Sequence, residues 1–205
     1  MHLYKNPRPQ LTDIGDDEEI IITKPSRGLS QVQGNEIYFY SDVSLGSVFS
    51  LNKALSDLEK QMLITQIQLG MPKPPHIKLF INSDGGEIFS AFTTVDRIIS
   101  SKVPVHTYVE GIAASAATLI SVCGSKRYIG KSGVMLVHQL RSWCGGTHEN
   151  LKDEAKNLDM LAEQVTQIYL QHTKFSKADL EEILKHDIYL NANECVKYGL
   201  VDFIL

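Results

Sequence analysis

Twice in succession this chain runs from a β-rich segment through a glycine-bearing turn into an apolar helix, and that tandem pattern restricts the fold more than any other feature. The first unit is Ile77 to Asn82, then Ser83-Asp84-Gly85-Gly86, then Ile88, Phe89, Phe92, Val95 and Ile98 or Ile99 at amphipathic helical spacing. The second is Val103 to Val109, a turn at Glu110-Gly111-Ile112, and an alanine-rich helix from Ala113 to Cys123 closed by Gly124. Strands alternating with helices predict an α/β fold with a largely parallel sheet, in which ligands collect at the carboxyl ends of strands.

The remaining elements fit around these units. Glu36 to Tyr40 reads as a strand, and Ser47 to Gln66 as a helix that the prolines after Met71 end. Short strands follow at Arg127 to Ile129 and Val134 to Val137. Residues 149–171 carry Leu151, Ala155, Leu158, Leu161, Ala162, Val165, Ile168 and Tyr169 on one stripe, which predicts a long helix. Ser176 to Asp179 and Asn191 to Glu194 have the spacing of helix-opening capping boxes, and Leu200 to Ile204 reads as a last strand. Residues 1–30 mix charge, proline and the acidic run Asp16 to Glu19; they read as a mobile arm with a short strand at Ile20 to Thr23. Residues 31–205 are expected to form one domain.

Charge and composition remove several classes of function. With 20 basic residues against 24 acidic and no Lys/Arg block, nucleic acid is not an expected partner. The first residues lack an apolar signal core, and no run of about 18 apolar residues occurs, so a soluble, cytoplasmic protein without a membrane partner is expected. Cys123, Cys144 and Cys195 are odd in number and form no C-x-x-C pair; they read as idle thiols, and no metal site is expected.

Three residues attract attention as chemistry. Ser115 follows a strand and opens an apolar helix, where unpaired N–H groups and the positive end of the dipole favour an oxyanion. Taken alone, it reads first as an N-cap, and its alanine neighbours do not make a G-x-S-x-G elbow. His138 stands at the end of Val134 to Val137, placed to act as a base for a serine hydroxyl. Asp187, between a helix end and Tyr189-Leu190-Asn191, can fix the histidine tautomer, although most aspartates in such a place are simple turn formers. The glycine turn offers the Gly86 N–H, and the helix start the Ala116 N–H, as an oxyanion hole.

As a set these residues resemble the ClpP peptidases. The blocks Ile81-Asn-Ser-Asp-Gly-Gly86, Gly111-Ile-Ala-Ala-Ser-Ala116, Val134-Met-Leu-Val-His-Gln139, Asp187-Ile-Tyr-Leu-Asn-Ala192 and Glu194 to Asp202 match in order and spacing. The family usually has proline at the position of Asp84, methionine at that of Ala116 and an aromatic at that of Lys78.

The resemblance implies a ClpP/crotonase-like spiral of β-β-α units, with residues of about 140–171 protruding as a handle between stacked rings of a homo-oligomer, heptamer on heptamer. It implies a cofactor-free serine endopeptidase with the triad Ser115, His138, Asp187. Polypeptide substrates would pair with the backbone of Gly86, Glu87 and Ile88 and of Leu140, Arg141 and Ser142 as an added strand. An AAA+ unfoldase of the ClpX, ClpA or ClpC type is the implied partner, and a plastid stroma or a phage host's cytoplasm is an alternative setting. Competing readings are a ClpP-like phage prohead protease, a silent ring subunit and a crotonase-type acyl-CoA enzyme; the last leaves the three residues without a role.

Overall fold

A computed structural model describes residues 30–205; the short strand expected at Ile20 to Thr23 lies outside them. The elements in chain order are β1 (Gln31–Gln33), β2 (Glu36–Phe39), α1 (Leu45–Gln68), β3 (Ile77–Ser83), α2 (Ile88–Ile99), β4 (Val105–Ala114) and α3 (Ala116–Val122). They continue as β5 (Lys126–Ile129), β6 (Val134–Leu136), α4 (His148–His172), α5 (Lys177–Leu184), β7 (Tyr189–Asn191), α6 (Ala192–Lys197) and β8 (Phe203–Ile204).

The sheet runs β1-β2-β3-β4-β5-β8, and every pair from β2 onward in that path is parallel, as the alternating pattern predicts. A second path leaves the middle of the sheet: β6 pairs parallel with the far end of β4, and β7 pairs antiparallel with β6. Ile37, Leu79, Ile81, Val109 and Ile129 point to one face and are fully buried beneath α1, α2 and α3. Burial of each such side chain contributes about 1.5–3 kcal/mol. The opposite face carries one ring per strand, Tyr38, Phe80, Tyr108, Tyr128 and Phe203, stacked with centroids 4.6 to 5.2 Å apart.

The turn expected at Glu110-Gly111-Ile112 is not a turn. Strand β4 passes straight through it to Ala114, with Gly111 at φ 81 and a register shift against β3 between Ile81 and Ser83. Glycine absorbs the kink that another residue would resist, so the strand bends instead of ending. The helix therefore starts at Ala116, three residues later than the alanine run suggests.

The capping signals are read correctly. Ser176 caps α5 through the Asp179 amide, and Asn191 caps α6 in a reciprocal box with Glu194. The last strand is shorter than expected, because Asp202 turns aside to bind Arg127. That arginine reaches Asp202 at 2.6 Å and the carbonyl of Gly199 at 2.8 Å, and also bonds the carbonyl of His172. It thus joins the foot of α4 and the end of α6 to β5. Among the described residues no helix is long and apolar enough to cross a membrane, and no cluster of His, Cys, Asp and Glu could hold a metal ion.

Candidate active site

Ser115 lies at the junction of β4 and α3, and its backbone is strained. It is the one non-glycine residue with positive φ among those described, at φ 55 and ψ −127. Such a conformation costs about 1–3 kcal/mol and persists only where the surroundings enforce it. They do so here through three bonds: the Ser115 N–H donates to the Leu136 carbonyl at 2.8 Å, and the Ser115 carbonyl accepts from the Thr118 amide at 2.9 Å and its hydroxyl at 2.5 Å. The Ser115 side chain makes no cap hydrogen bond, so the N-cap reading of this serine does not hold.

The glycine turn after β3 packs directly onto this elbow. A Cβ on Gly85 would lie 2.7 Å from Ser115 Cβ and 3.1 Å from the Ala116 nitrogen. Gly86, at φ 146, is pressed as tightly on the other side, where a Cβ would meet the Val43 carbonyl at 2.1 Å. Val43 bonds the residues flanking Gly86: it donates to the Gly85 carbonyl at 2.7 Å and accepts from the Glu87 amide at 2.8 Å. In a parallel bridge the intervening N–H then points the opposite way, out of the ladder. Neither the Gly86 nor the Ala116 amide donates a loop or cap hydrogen bond among the described residues, and both residues line the cleft beside Ser115.

His138 arrives by register. Leu136 pairs with Tyr189 in the antiparallel β6–β7 ladder, and two residues beyond, in opposite directions, stand His138 and Asp187. The same β6 pairs in parallel with β4 just before Ser115. One short strand therefore brings the end carrying the serine and the end carrying the aspartate toward one histidine. The His138 ring is almost buried, and its Nδ1 lies 3.7 Å from Asp187 Oδ1, beyond hydrogen-bond range. That nitrogen has no partner among the described residues. Asp187 is half-exposed, and its other oxygen accepts from Arg141.

The cleft in front of Ser115 encloses about 500 Å³. Ser115, Ala116, His138, Gly86, Glu87, Ile88, Leu140, Arg141 and Ser142 all line it, so every expected site residue except Asp187 faces one space. Asp187 stands behind His138. The sequence reading missed the apolar wall, made by Leu119 of α3 and by Leu158, Leu161, Val165 and Tyr169 of α4. The stripe on α4 carried that signal, but only as a core face. Tyr169 is fully buried, its hydroxyl shared with that of Thr118, and burial pushes its pKa well up. Cys123 and Cys195 are buried away from the cleft, and burial raises each thiol to about 12, which leaves them unreactive.

The arrangement offers a strained hydroxyl, an imidazole, a carboxylate behind it and two free amides at one cleft, a set suited to acyl transfer. Comparison with known proteins agrees. The Clp protease family profile matches residues 33–205. The ATP-dependent Clp protease proteolytic subunit 2 of Treponema denticola is 31% identical over 156 residues, 75% of this chain and 77% of its own. The corresponding subunit of Deinococcus radiodurans is 27% identical over 155 residues, covering 72% and 76%. A solved ClpP1 mutant from Listeria monocytogenes shares the fold with TM-score 0.72 at 23% identity, covering 83% of this chain and 91% of that one. This chain is a serine-type peptidase and belongs to the Clp protease family.

Proposed function

We propose that Ser115 is the nucleophile, His138 the general base and Asp187 the acid that orients it, with the Gly86 and Ala116 amides as the oxyanion hole. The observation that carries this reading is the Ser115 backbone, held at φ 55 with its hydroxyl free of any cap bond and facing the cleft that His138 also lines. A peptide laid along Gly86 to Ile88 and Leu140 to Ser142 presents its carbonyl to Ser115 Oγ. As Oγ attacks, its proton passes to His138 Nε2, the nitrogen turned away from Asp187. The carbonyl oxygen takes the negative charge and is met by the two amides. The bond to nitrogen then breaks, the amine leaves with the proton from His138, and an acyl-Ser115 ester remains. Water, giving its proton to His138, attacks that ester and frees the acid.

The partners follow the same family likeness. We read the chain as a proteolytic subunit that forms stacked homo-oligomeric rings in the cytoplasm, receives unfolded polypeptides from an AAA+ unfoldase, and uses α4 within residues of about 140–171 as a handle. Leu45 and Phe49, one turn apart at the start of α1, are exposed, an apolar spot suited to a neighbouring subunit. The aromatic ladder on the outer sheet face supports unfoldase docking, although Lys78, paired with Glu36 at 2.9 Å, interrupts its apolar character. Labelling with a fluorophosphonate probe tests the reading. Wild type is expected to label once per chain and Ser115→Ala not at all, with peptide hydrolysis falling on the order of 10⁶-fold, to background; persistent labelling of Ser115→Ala would overturn it.

A further inference from the structure

We propose that Arg141 is a positioning residue that holds the Asp187 carboxylate away from His138, and so sets how many molecules have a connected triad at any moment. The inference rests on the triad reading above and concerns a residue whose expected role was substrate contact alone.

Two groups face one carboxylate. Asp187 Oδ2 accepts from Arg141 Nη2, while Oδ1 stops 3.7 Å from His138 Nδ1. A hydrogen bond needs that gap to close by roughly 1 Å. The His138 nitrogen is buried without a partner among the described residues, and a buried polar atom in that state carries a standing cost that one nearby carboxylate could relieve. The acid is nonetheless held on the other side. Arg141 wins because its planar guanidinium makes a charge-assisted bond whose fork geometry matches a carboxylate.

The restraint is weak by construction. The Arg141 and Asp187 side chains are 71% and 53% exposed, so water and salt screen their attraction. An exposed pair of this kind shifts a population by about two- to fivefold. Arg141 also lines the cleft, on the segment that directly follows His138, so occupation of the cleft bears on the residue that restrains the acid.

The test is the second-order rate of inactivation by a small fluorophosphonate, which reads nucleophile activation with little dependence on peptide contacts. Arg141→Gln is expected to react about two- to fivefold faster than wild type, and Arg141→Lys, which restores a cation, to give back part of that gain. Added sodium chloride is expected to accelerate wild type and leave Arg141→Gln unchanged. A Gln variant that reacts no faster, or one that keeps the wild-type salt response, overturns the proposal. Should Arg141→Gln not fold, the salt response of wild type and the Lys variant decides: a flat wild-type response overturns it. Ser115→Ala placed in the Arg141→Gln background separates the two ideas, because labelling that survives there defeats the nucleophile assignment and not the restraint.

Discussion

The two sides of His138 are built differently. On the serine side the backbone is locked: Ser115 is bonded through its amide to β6 and through its carbonyl to Thr118, and Gly85 and Gly86 leave no room for a methyl group. On the aspartate side the acid stands half-exposed two residues before the short strand β7, shared with an arginine that is more exposed still. Rigidity is concentrated where charge develops on the reacting oxygen, and adjustability where the base is oriented. Oxyanion stabilisation gains from a site that needs no reorganisation, which is the physical reason to fix that side first.

Two variants can break this contrast, a third sharpens it and a fourth serves as its control. Asp187→Ala is expected to cut turnover by about 10⁴-fold while leaving the thermal midpoint within about 1 °C, since the side chain is half-exposed and packs little. A large loss of stability would mean that the acid side is as structural as the serine side. Gly86→Ala should lose about 10²–10³ in kcat and melt earlier as well, because the turn must move off the Val43 carbonyl to admit a Cβ. Unchanged kcat there would remove Gly86 from the oxyanion hole.

Tyr169→Phe sharpens the comparison further. It removes the hydroxyl shared with Thr118, beneath the bond that fixes Ser115, and is expected to cost about 1 kcal/mol, seen as a fall of about 2–4 °C in melting with at most a few-fold loss of activity. Asp202→Asn is the control far from the cleft. Burial alone would raise the Asp202 carboxyl, but the hydrogen bonds and charge of Arg127 outweigh it and hold its pKa below the ordinary value. A depressed carboxyl adds stability above its unfolded pKa of about 4, and that contribution is lost as pH falls through the lower folded value. The variant should therefore melt earlier than wild type at pH 7 and converge with it below about pH 4, with peptide hydrolysis unaltered.

Much of this was legible in the residues. The strand–turn–helix tandem located Ser115, the strand end located His138, and Ser176 and Asn191 announced their helices, because each is a local rule of period or capping. The misreading at Glu110-Gly111-Ile112 shows where local rules stop: the composition is that of a turn, yet pairing with β3 and β6 carries the strand through. Strand β7 escaped notice because three residues with an exposed-buried-exposed pattern carry too little signal. The Arg141–Asp187 pair lies 46 residues apart in sequence and is exposed at both ends, so neither periodicity nor hydropathy records it.

Arg127 has a consequence for how long the chain can afford to be. By fastening the foot of α4 and the segment after α6 to β5, it makes everything between Arg127 and Asp202 an excursion whose two ends are already tied together. Closing a flexible excursion costs entropy that rises only with the logarithm of its length, about 0.6 kcal/mol for each doubling. Residues can accordingly be added in the exposed stretch before α4, around Trp143, at little thermodynamic expense, and a labelled or tagged loop grafted there would leave the sheet register undisturbed.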